Sequence, residues 1–169
     1  MSFARSADGT SIGFDARGSG RPVVLVDGAF CSRKVGPAPK LAPALAEHFT
    51  VYSYDRRGRG DSGDTQPYSV EREIEDLAAV LAVVGEPVGV VGISSGAALA
   101  VAAADRGLPI SRLALYEPPF MVAPADRPAP EYVVRLRRLL DDGERGRAAR
   151  YFMTQVMGMP RPLVAMLSG

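Results

Sequence analysis

Cysteine and histidine are almost absent from this chain of 169 residues, which contains one of each. A single cysteine excludes an intramolecular disulfide and a CxxC metal site, so we expect a reducing, cytoplasmic location and no metal. The single histidine, His48, lies far upstream of the serine motif described below. Because histidine is the usual base for a catalytic serine, its scarcity bears directly on any catalytic interpretation.

Net charge and long apolar runs are also missing. Twenty basic residues balance nineteen acidic ones, so a net charge of +1 predicts no attraction to nucleic acid or to an anionic membrane. The apolar stretches stop well short of the roughly 20 residues that a membrane span requires. The N-terminal "MSFARSADGTSIGFD" lacks the basic and apolar pattern of a signal peptide. With 47% hydrophobic residues, the composition is that of a soluble globular protein with a core.

Strand and helix patterns alternate along the first two thirds of the chain. An N-terminal antiparallel hairpin is predicted, in which Asp8-Gly9 would supply the positive φ values of a tight turn. Four apolar segments then have strand character: "VVLV" (23–26), "VYSYD" (51–55), "VGVV" (88–91) and "RLALYEPPF" (112–120). This alternation predicts the α/β class, with a mostly parallel sheet and right-handed crossovers.

Helices are predicted between these strands and after them. Residues 36–48 have helical character despite three prolines, and Ser69 is expected to cap the helix that Gly85 ends. After the proline-rich stretch 118–130 the pattern is helical only. We therefore predict a core over residues 1–119 and a helical cap or lid segment over residues 120–169.

The segment "GISSG" (92–96) is the main chemical motif. It joins an apolar strand to a helix of small residues, which is the setting of a nucleophilic serine on a sharp strand-to-helix turn. Glycines two residues before and after Ser94 would allow close backbone approaches that a Cβ would block. A chance match in a glycine-rich chain is the alternative, and the flanking strand and helix favour the functional interpretation.

Three other features have simpler explanations. "GRGDSG" (58–63) has the glycine spacing of a dinucleotide site, but no helix follows it to hold a phosphate, so no cofactor is expected. Cys31 lies in no nucleophile motif and is expected to be a small buried thiol. His48 is expected at the end of the sheet opposite Ser94, as a helix-terminal or solvated residue.

The order of these motifs resembles the α/β-hydrolase superfamily. The hairpin, "VVLVDGAF", "YDRRGRGDS" and "VVGISSG" match the family's features over nearly the whole chain. The resemblance implies Ser94 as the catalytic nucleophile and the backbone N–H groups of Ala29 and Ser95 as the oxyanion hole. It also implies that the loop containing Asp55 and Arg57 is structural. Asp27 replaces the family's usual histidine, and we expect its side chain to hydrogen-bond that neighbouring loop.

The resemblance also bears on the missing base. In the family an acid and a histidine follow the seventh and eighth strands, whereas six strands are expected here, so the fold is predicted to be truncated within the cap. Glu117 is an alternative acid, although a loop residue is the expected role. The predicted function is an esterase-like, cofactor-independent serine hydrolase for apolar acyl compounds, inactive or impaired in this chain. A C–C hydrolase, a cofactor-free peroxidase, a non-catalytic binding module and a gene fragment remain alternatives, and an exposed sheet edge could promote self-association.

Overall fold

A computed structural model describes residues 1–85, 87–123 and 127–167. The chain divides into two compact units, Met1–Phe120 and Met121–Gly169. The sequence-based division placed the boundary at residues 119 and 120. Each unit is described separately below.

The first unit is built on a six-stranded sheet. Its strands in chain order are β1 (Ser2–Arg5), β2 (Ser11–Arg17), β3 (Arg21–Val26), β4 (Phe49–Tyr54), β5 (Val88–Ile93) and β6 (Ile110–Tyr116). Their spatial order is β1-β2-β4-β3-β5-β6. Strands β1 and β2 pair antiparallel with each other, and β2 pairs antiparallel with β4, while β3 to β6 run parallel. The predicted α/β class and mostly parallel sheet are confirmed.

Helices cover the two faces of this sheet unequally. Helix α1 (Ala38–Leu45) packs on one face, against Val23, Leu25 and Val51. Helices α2 (Val70–Val84) and α3 (Ser95–Asp105) share the larger core on the other face, which includes Val24 and Val26 of β3. Successive residues of β3 thus enter opposite cores, as expected for a strand buried on both sides.

Local signals explain the ends of several elements. Ser69 accepts a hydrogen bond from the Arg72 backbone N–H at 3.3 Å and caps α2, while Gly85 ends that helix at φ 79°. In the N-terminal hairpin Gly9 alone has a positive φ, 85°, whereas Asp8 was also expected to have one. Asp8 accepts a hydrogen bond from the Thr10 N–H at 2.9 Å instead, an Asx-type turn that needs no left-handed aspartate.

Strand β6 forms one edge of the sheet, and its apolar side chains from Leu113 to Tyr116 are exposed. Leu113 is 37% exposed, Leu115 40% and Tyr116 62%. Beside it an apolar groove crosses the sheet face between α1 and β6, lined among others by Leu45, Val91 and Leu113. This edge carries no charged side chain from Leu113 to Tyr116 that would discourage pairing with another strand.

The second unit is helical in its described residues. It contains α4 (Tyr132–Asp141), α5 (Arg145–Tyr151), a π-helical turn (Phe152–Val156) and α6 (Arg161–Leu167). The Arg135 guanidinium stacks 5.0 Å from the centre of the Tyr151 ring and ties α4 to α5. Within the described residues, no helix combines the length and apolar character needed to cross a membrane. The role of this unit as a cap stays a prediction.

Candidate active site

Ser94 occupies a strained turn between β5 and α3. Its backbone has φ 52° and ψ −122°, a conformation that residues with a Cβ rarely adopt. The Ser94 N–H donates to the carbonyl oxygen of Tyr116 at 2.9 Å, and its own carbonyl accepts from the Ala97 N–H at 2.9 Å. These bonds hold the half-exposed side chain at the first turn of α3, as expected for a nucleophile on such a turn.

The glycines on either side of Ser94 are required by close packing. A Cβ on Gly92 would lie 2.5 Å from the Cα of Ala97, and one on Gly96 would lie 2.0 Å from the carbonyl oxygen of Val26. Both neighbours are backbone atoms that cannot rotate away. The spacing of the motif therefore has a steric cause here, and α3 approaches the sheet closely because its contact face is made of small residues.

The loop after β3 lies directly beside Ser94. A Cβ on Gly28 would be 3.2 Å from the Ser94 Cβ and 3.7 Å from its Oγ, so Gly28 faces the side chain of the serine. Ala29 follows Gly28 in this loop, and Ser95 begins α3 on the other side. The fold thus brings Ser94, Ala29 and Ser95 to one place. The catalytic roles of these residues stay predictions.

Backbone strain is concentrated at this end of the sheet. Among the described residues, the non-glycine positions with positive φ are Phe30, Ser94 and Glu117, at 59°, 52° and 46°. They follow β3, β5 and β6, whose carboxyl ends meet at one edge of the parallel sheet. Strained residues persist where the surrounding structure holds them, and they are common at functional sites. Parallel α/β sheets also bind ligands at this edge.

Asp27 is buried at the end of β3. The role expected for its side chain from the sequence is a hydrogen bond to the loop after β4. That expectation is wrong for its carboxyl group. The Oδ1 atom has no hydrogen-bond partner among the described residues, and the favourable backbone contact of the side chain is with Ala38 at the start of α1. Burial raises the pKa of Asp27 to about 6, against the opposing effects of Ala38 and of Arg59 and Arg56.

The loop after β4 instead contacts the backbone carbonyl oxygen of Asp27. The Arg56 Nη1 donates to the Asp27 carbonyl at 3.2 Å and to the Ser95 Oγ at 3.0 Å. The rest of the guanidinium makes two bonds to Glu73, at 2.5 and 2.6 Å, and Tyr68 donates to the same carboxylate at 2.8 Å. Arg56 therefore links the end of β3 to the start of α3 by hydrogen bonds, while its buried ion pair with Glu73 holds it to α2.

Two further arginines hold this loop in place. Arg33 donates to Asp55 from its backbone N–H at 2.7 Å and from Nε at 3.0 Å, and its side chain also pairs with Asp15 and Asp61. Arg57 makes two 2.7 Å bonds to the buried Asp76 and one of 3.0 Å to Asp8. These contacts support the structural role that the resemblance implied for the loop.

No sequence pattern predicted Arg33, Arg56 or Arg59 as parts of this site. Their carboxylate and carbonyl partners lie 17 to 31 positions away in the chain. One available signal was the pair of acidic residues Glu73 and Asp76, three positions apart on the buried side of α2. Buried carboxylates need cationic partners, and the adjacent arginines of "DRRGRG" could supply them.

The other candidate residues, His48, Cys31 and Glu117, lack the surroundings of a catalytic group. His48 is exposed and precedes β4, so it is at the amino end of the parallel strands, whereas Ser94 is at their carboxyl end. Cys31 is half-buried; its Sγ donates to the Ala29 carbonyl at 3.3 Å, and burial raises the pKa of its thiol. Glu117 is exposed after β6. The structure thus brings no histidine to Ser94, and it favours a thiol over a thiolate at Cys31.

Fold and site together define a protein of the α/β-hydrolase type, with a strained serine at the carboxyl edge of a mostly parallel sheet. The profile of the alpha/beta hydrolase family matches residues 13–168, and the chain belongs to that family.

Relatives agree with this assignment. The crystal structure of an alpha/beta hydrolase from Sphaerobacter thermophilus is 55% identical, with a TM-score of 0.92 over 98% of this chain and 64% of that one. The esterase RhEst1 from Rhodococcus is 27% identical, with a TM-score of 0.60 over 68% of this chain and 44% of its own. The uncharacterized hydrolase YraK of Bacillus subtilis is 37% identical over 54% of this chain and 34% of its own length. The chain thus spans about a third of that curated relative and 64% of the Sphaerobacter structure.

Proposed function

We propose that this chain carries the nucleophile and the oxyanion hole of a serine hydrolase that acts on esters or other small acyl compounds. The backbone of Ser94 is the observation that carries the proposal. Its conformation costs about 1–3 kcal/mol in a residue with a Cβ. A glycine at position 94 would avoid that cost, and the presence of serine there supports a role for its hydroxyl.

The proposed reaction begins with attack by the Ser94 Oγ on the carbonyl carbon of the substrate. A base takes the hydroxyl proton, and the tetrahedral oxyanion accepts hydrogen bonds from the Ala29 and Ser95 N–H groups. The C–O bond to the leaving alcohol then breaks, and the base returns its proton to that alcohol. Water attacks the acyl-enzyme in the same way and releases the acid. No cofactor takes part in these steps.

No described residue of this chain is placed to serve as a histidine base for Ser94, so we propose that another segment supplies it. His48 lies at the opposite end of the sheet, and an aspartate or glutamate alone does not replace the histidine of a triad. Phe30, which is 56% exposed in the loop beside Ser94, provides apolar surface for an acyl group. An apolar acyl substrate is therefore proposed.

The experiment compares this chain with a chimera. In the chimera, Gly169 is followed by the part of the Sphaerobacter hydrolase that lies beyond the region matched by this chain. Hydrolysis of p-nitrophenyl butyrate should stay at the buffer background for the 169-residue chain and appear in the chimera. Ser94→Ala should abolish it, and Ser62→Ala, which alters a serine of the structural loop, should keep the Ser94-dependent reaction. Esterase turnover by the 169-residue chain itself, lost in Ser94→Ala, would show that another residue serves as the base. Turnover that survives Ser94→Ala in the chimera would contradict the proposal.

A further inference from the structure

The side chain of Arg59 donates a hydrogen bond to the backbone next to Ser94. Its Nη1 donates to the carbonyl oxygen of Gly28 at 2.6 Å. Arg56 does the same for the preceding carbonyl, that of Asp27, at 3.2 Å. Two successive peptide units at the end of β3 are therefore held by charged donors from one loop.

The carbonyl of Gly28 and the N–H of Ala29 belong to the same peptide unit. That unit is planar and trans, so its C=O and N–H point in opposite directions, and a donor that fixes the oxygen also fixes the hydrogen. A charged donor on the oxygen further polarises the unit, which makes the N–H a stronger donor. Arg59 thus acts on the group that the proposed function assigns to the oxyanion.

Glycine at position 28 makes such a restraint necessary. A Cβ there would approach the Ser94 Cβ to 3.2 Å, so a side chain would crowd the nucleophile. Without a Cβ, however, the backbone on either side of residue 28 rotates more freely. A hydrogen bond to the Gly28 oxygen removes that freedom at the one peptide where orientation matters most.

Arg59 differs from the neighbouring arginines in how its charge is partnered. Arg33, Arg56 and Arg57 each pair with a buried carboxylate, whereas within the described part of the chain no carboxylate lies within ion-pair distance of Arg59. Burial, followed by repulsion from Arg56, lowers the pKa of Arg59. Arginine nevertheless keeps its proton at neutral pH. Asp27 and Glu73 act on its charge at longer range, while the side-chain hydrogen bond of Arg59 goes to the Gly28 carbonyl.

We propose that Arg59 is a positioning residue, which orients and polarises the Gly28–Ala29 peptide so that the Ala29 N–H points to the oxyanion formed at Ser94. The proposal rests on the function proposed for Ser94. It differs from a role in folding because it predicts an effect on one peptide unit and on the binding of a tetrahedral anion. Arg56 holds the Asp27 carbonyl and the Ser95 side chain, on the two sides of the same site.

Isotope labelling can observe this peptide directly. The sequence contains two Gly-Ala pairs, Gly28-Ala29 and Gly96-Ala97. With ¹³C-carbonyl glycine and ¹⁵N-alanine, a carbonyl-to-amide correlation spectrum of the 169-residue chain therefore shows two peaks. Arg59→Met should move the Gly28-Ala29 peak, with the carbonyl carbon shifting upfield because its hydrogen bond is lost. The Gly96-Ala97 peak should stay in place and report an intact elbow.

Two matched variants separate the donor from the fold. Arg59→Lys keeps a charged donor and should leave the Gly28 carbonyl between its wild-type and Met-variant positions. Arg106→Met removes an exposed arginine that pairs with Glu71 at 2.9 Å, and it should move neither peak. If Arg59→Met does not fold, Arg59→Lys provides the test. Lysine lacks the planar guanidinium, so the Gly28 carbonyl peak should still move, and a peak that stays at the wild-type position would overturn the proposal.

Phenylboronic acid tests the consequence for the site. At mildly alkaline pH it forms a tetrahedral, anionic adduct with a serine hydroxyl, and titration can be followed on the Ala29 peak. Arg59→Met should weaken this binding about tenfold or more, less than the 10²–10³-fold effect of deleting a donor. Arg59→Lys should recover part of the affinity, and Arg106→Met should match the wild type.

The outcomes distinguish the two proposals. Wild-type binding that Ser94→Ala does not remove would refute the function proposed for Ser94, and this inference with it. Binding at Ser94 that is equal in wild type and Arg59→Met would overturn the role of Arg59 alone. An unmoved Gly28-Ala29 peak in Arg59→Met would do the same without any ligand.

Discussion

Replacing Ser94 by glycine should stabilise the protein relative to replacing it by alanine. At φ 52° and ψ −122° a Cβ costs about 1–3 kcal/mol, and alanine keeps this cost whereas glycine avoids it. Glycine loses about 0.5–1 kcal/mol through the greater freedom of the unfolded chain. The difference between these effects predicts that Ser94→Gly is more stable than Ser94→Ala by about 1 kcal/mol.

Urea unfolding followed by far-UV circular dichroism measures this difference. The matched control is Ala98→Gly, the same alanine-to-glycine change at a regular position of α3, which should destabilise by about 1 kcal/mol. The two substitutions thus have opposite predicted signs within five residues of each other. A Ser94→Gly variant that is no more stable than Ser94→Ala would refute the strained elbow, and with it the main support for a nucleophile.

Three further perturbations test other parts of the account. Gly96→Ala would place a Cβ 2.0 Å from the Val26 carbonyl oxygen and should lower the free energy of unfolding in urea by at least about 3 kcal/mol. Gly146→Ala in α5, where a Cβ has room, should cost nothing. Equal effects of the two substitutions would contradict the close packing of α3. Asp27 has a pKa of about 6 in the fold against 3.8 ordinarily, so the native state holds its proton more tightly. Stability should therefore fall by at most about 3 kcal/mol as the pH rises from 4 to 7, and Asp27→Asn should remove that slope. Light scattering should show association of the chain through the β6 edge, reduced by Leu115→Lys, and a monodisperse wild-type monomer would contradict it.

Local patterns were sufficient to predict the fold and the position of the serine. The alternation of apolar strands and helices, the Ser69 cap and the glycines around Ser94 all depend on residues within a few positions of one another. The structure gives each of these a physical cause, such as the 2.5 Å and 2.0 Å approaches that exclude a Cβ at residues 92 and 96. Helix α1 is shorter than the predicted 36–48, since it begins at Ala38 and ends at Leu45.

Long-range electrostatics could not be predicted in the same way. Arg59 and the Gly28 carbonyl are 31 positions apart, and each looks like an ordinary loop residue in the sequence. The side chain of Asp27 was expected to face the loop after β4, yet its carboxyl group is directed to the start of α1 and only its carbonyl meets that loop. Which of several nearby cations meets which carbonyl is decided by loop geometry, and no periodicity or spacing encodes it.

Site mapping with a fluorophosphonate tests the identity of the nucleophile most directly. The hydrolytically active chimera is labelled, digested and analysed by mass spectrometry beside its Ser94→Ala counterpart. We expect one adduct, on the peptide that contains Ser94, and no adduct in the alanine variant. Labelling of another serine, or labelling that survives Ser94→Ala, would contradict this expectation.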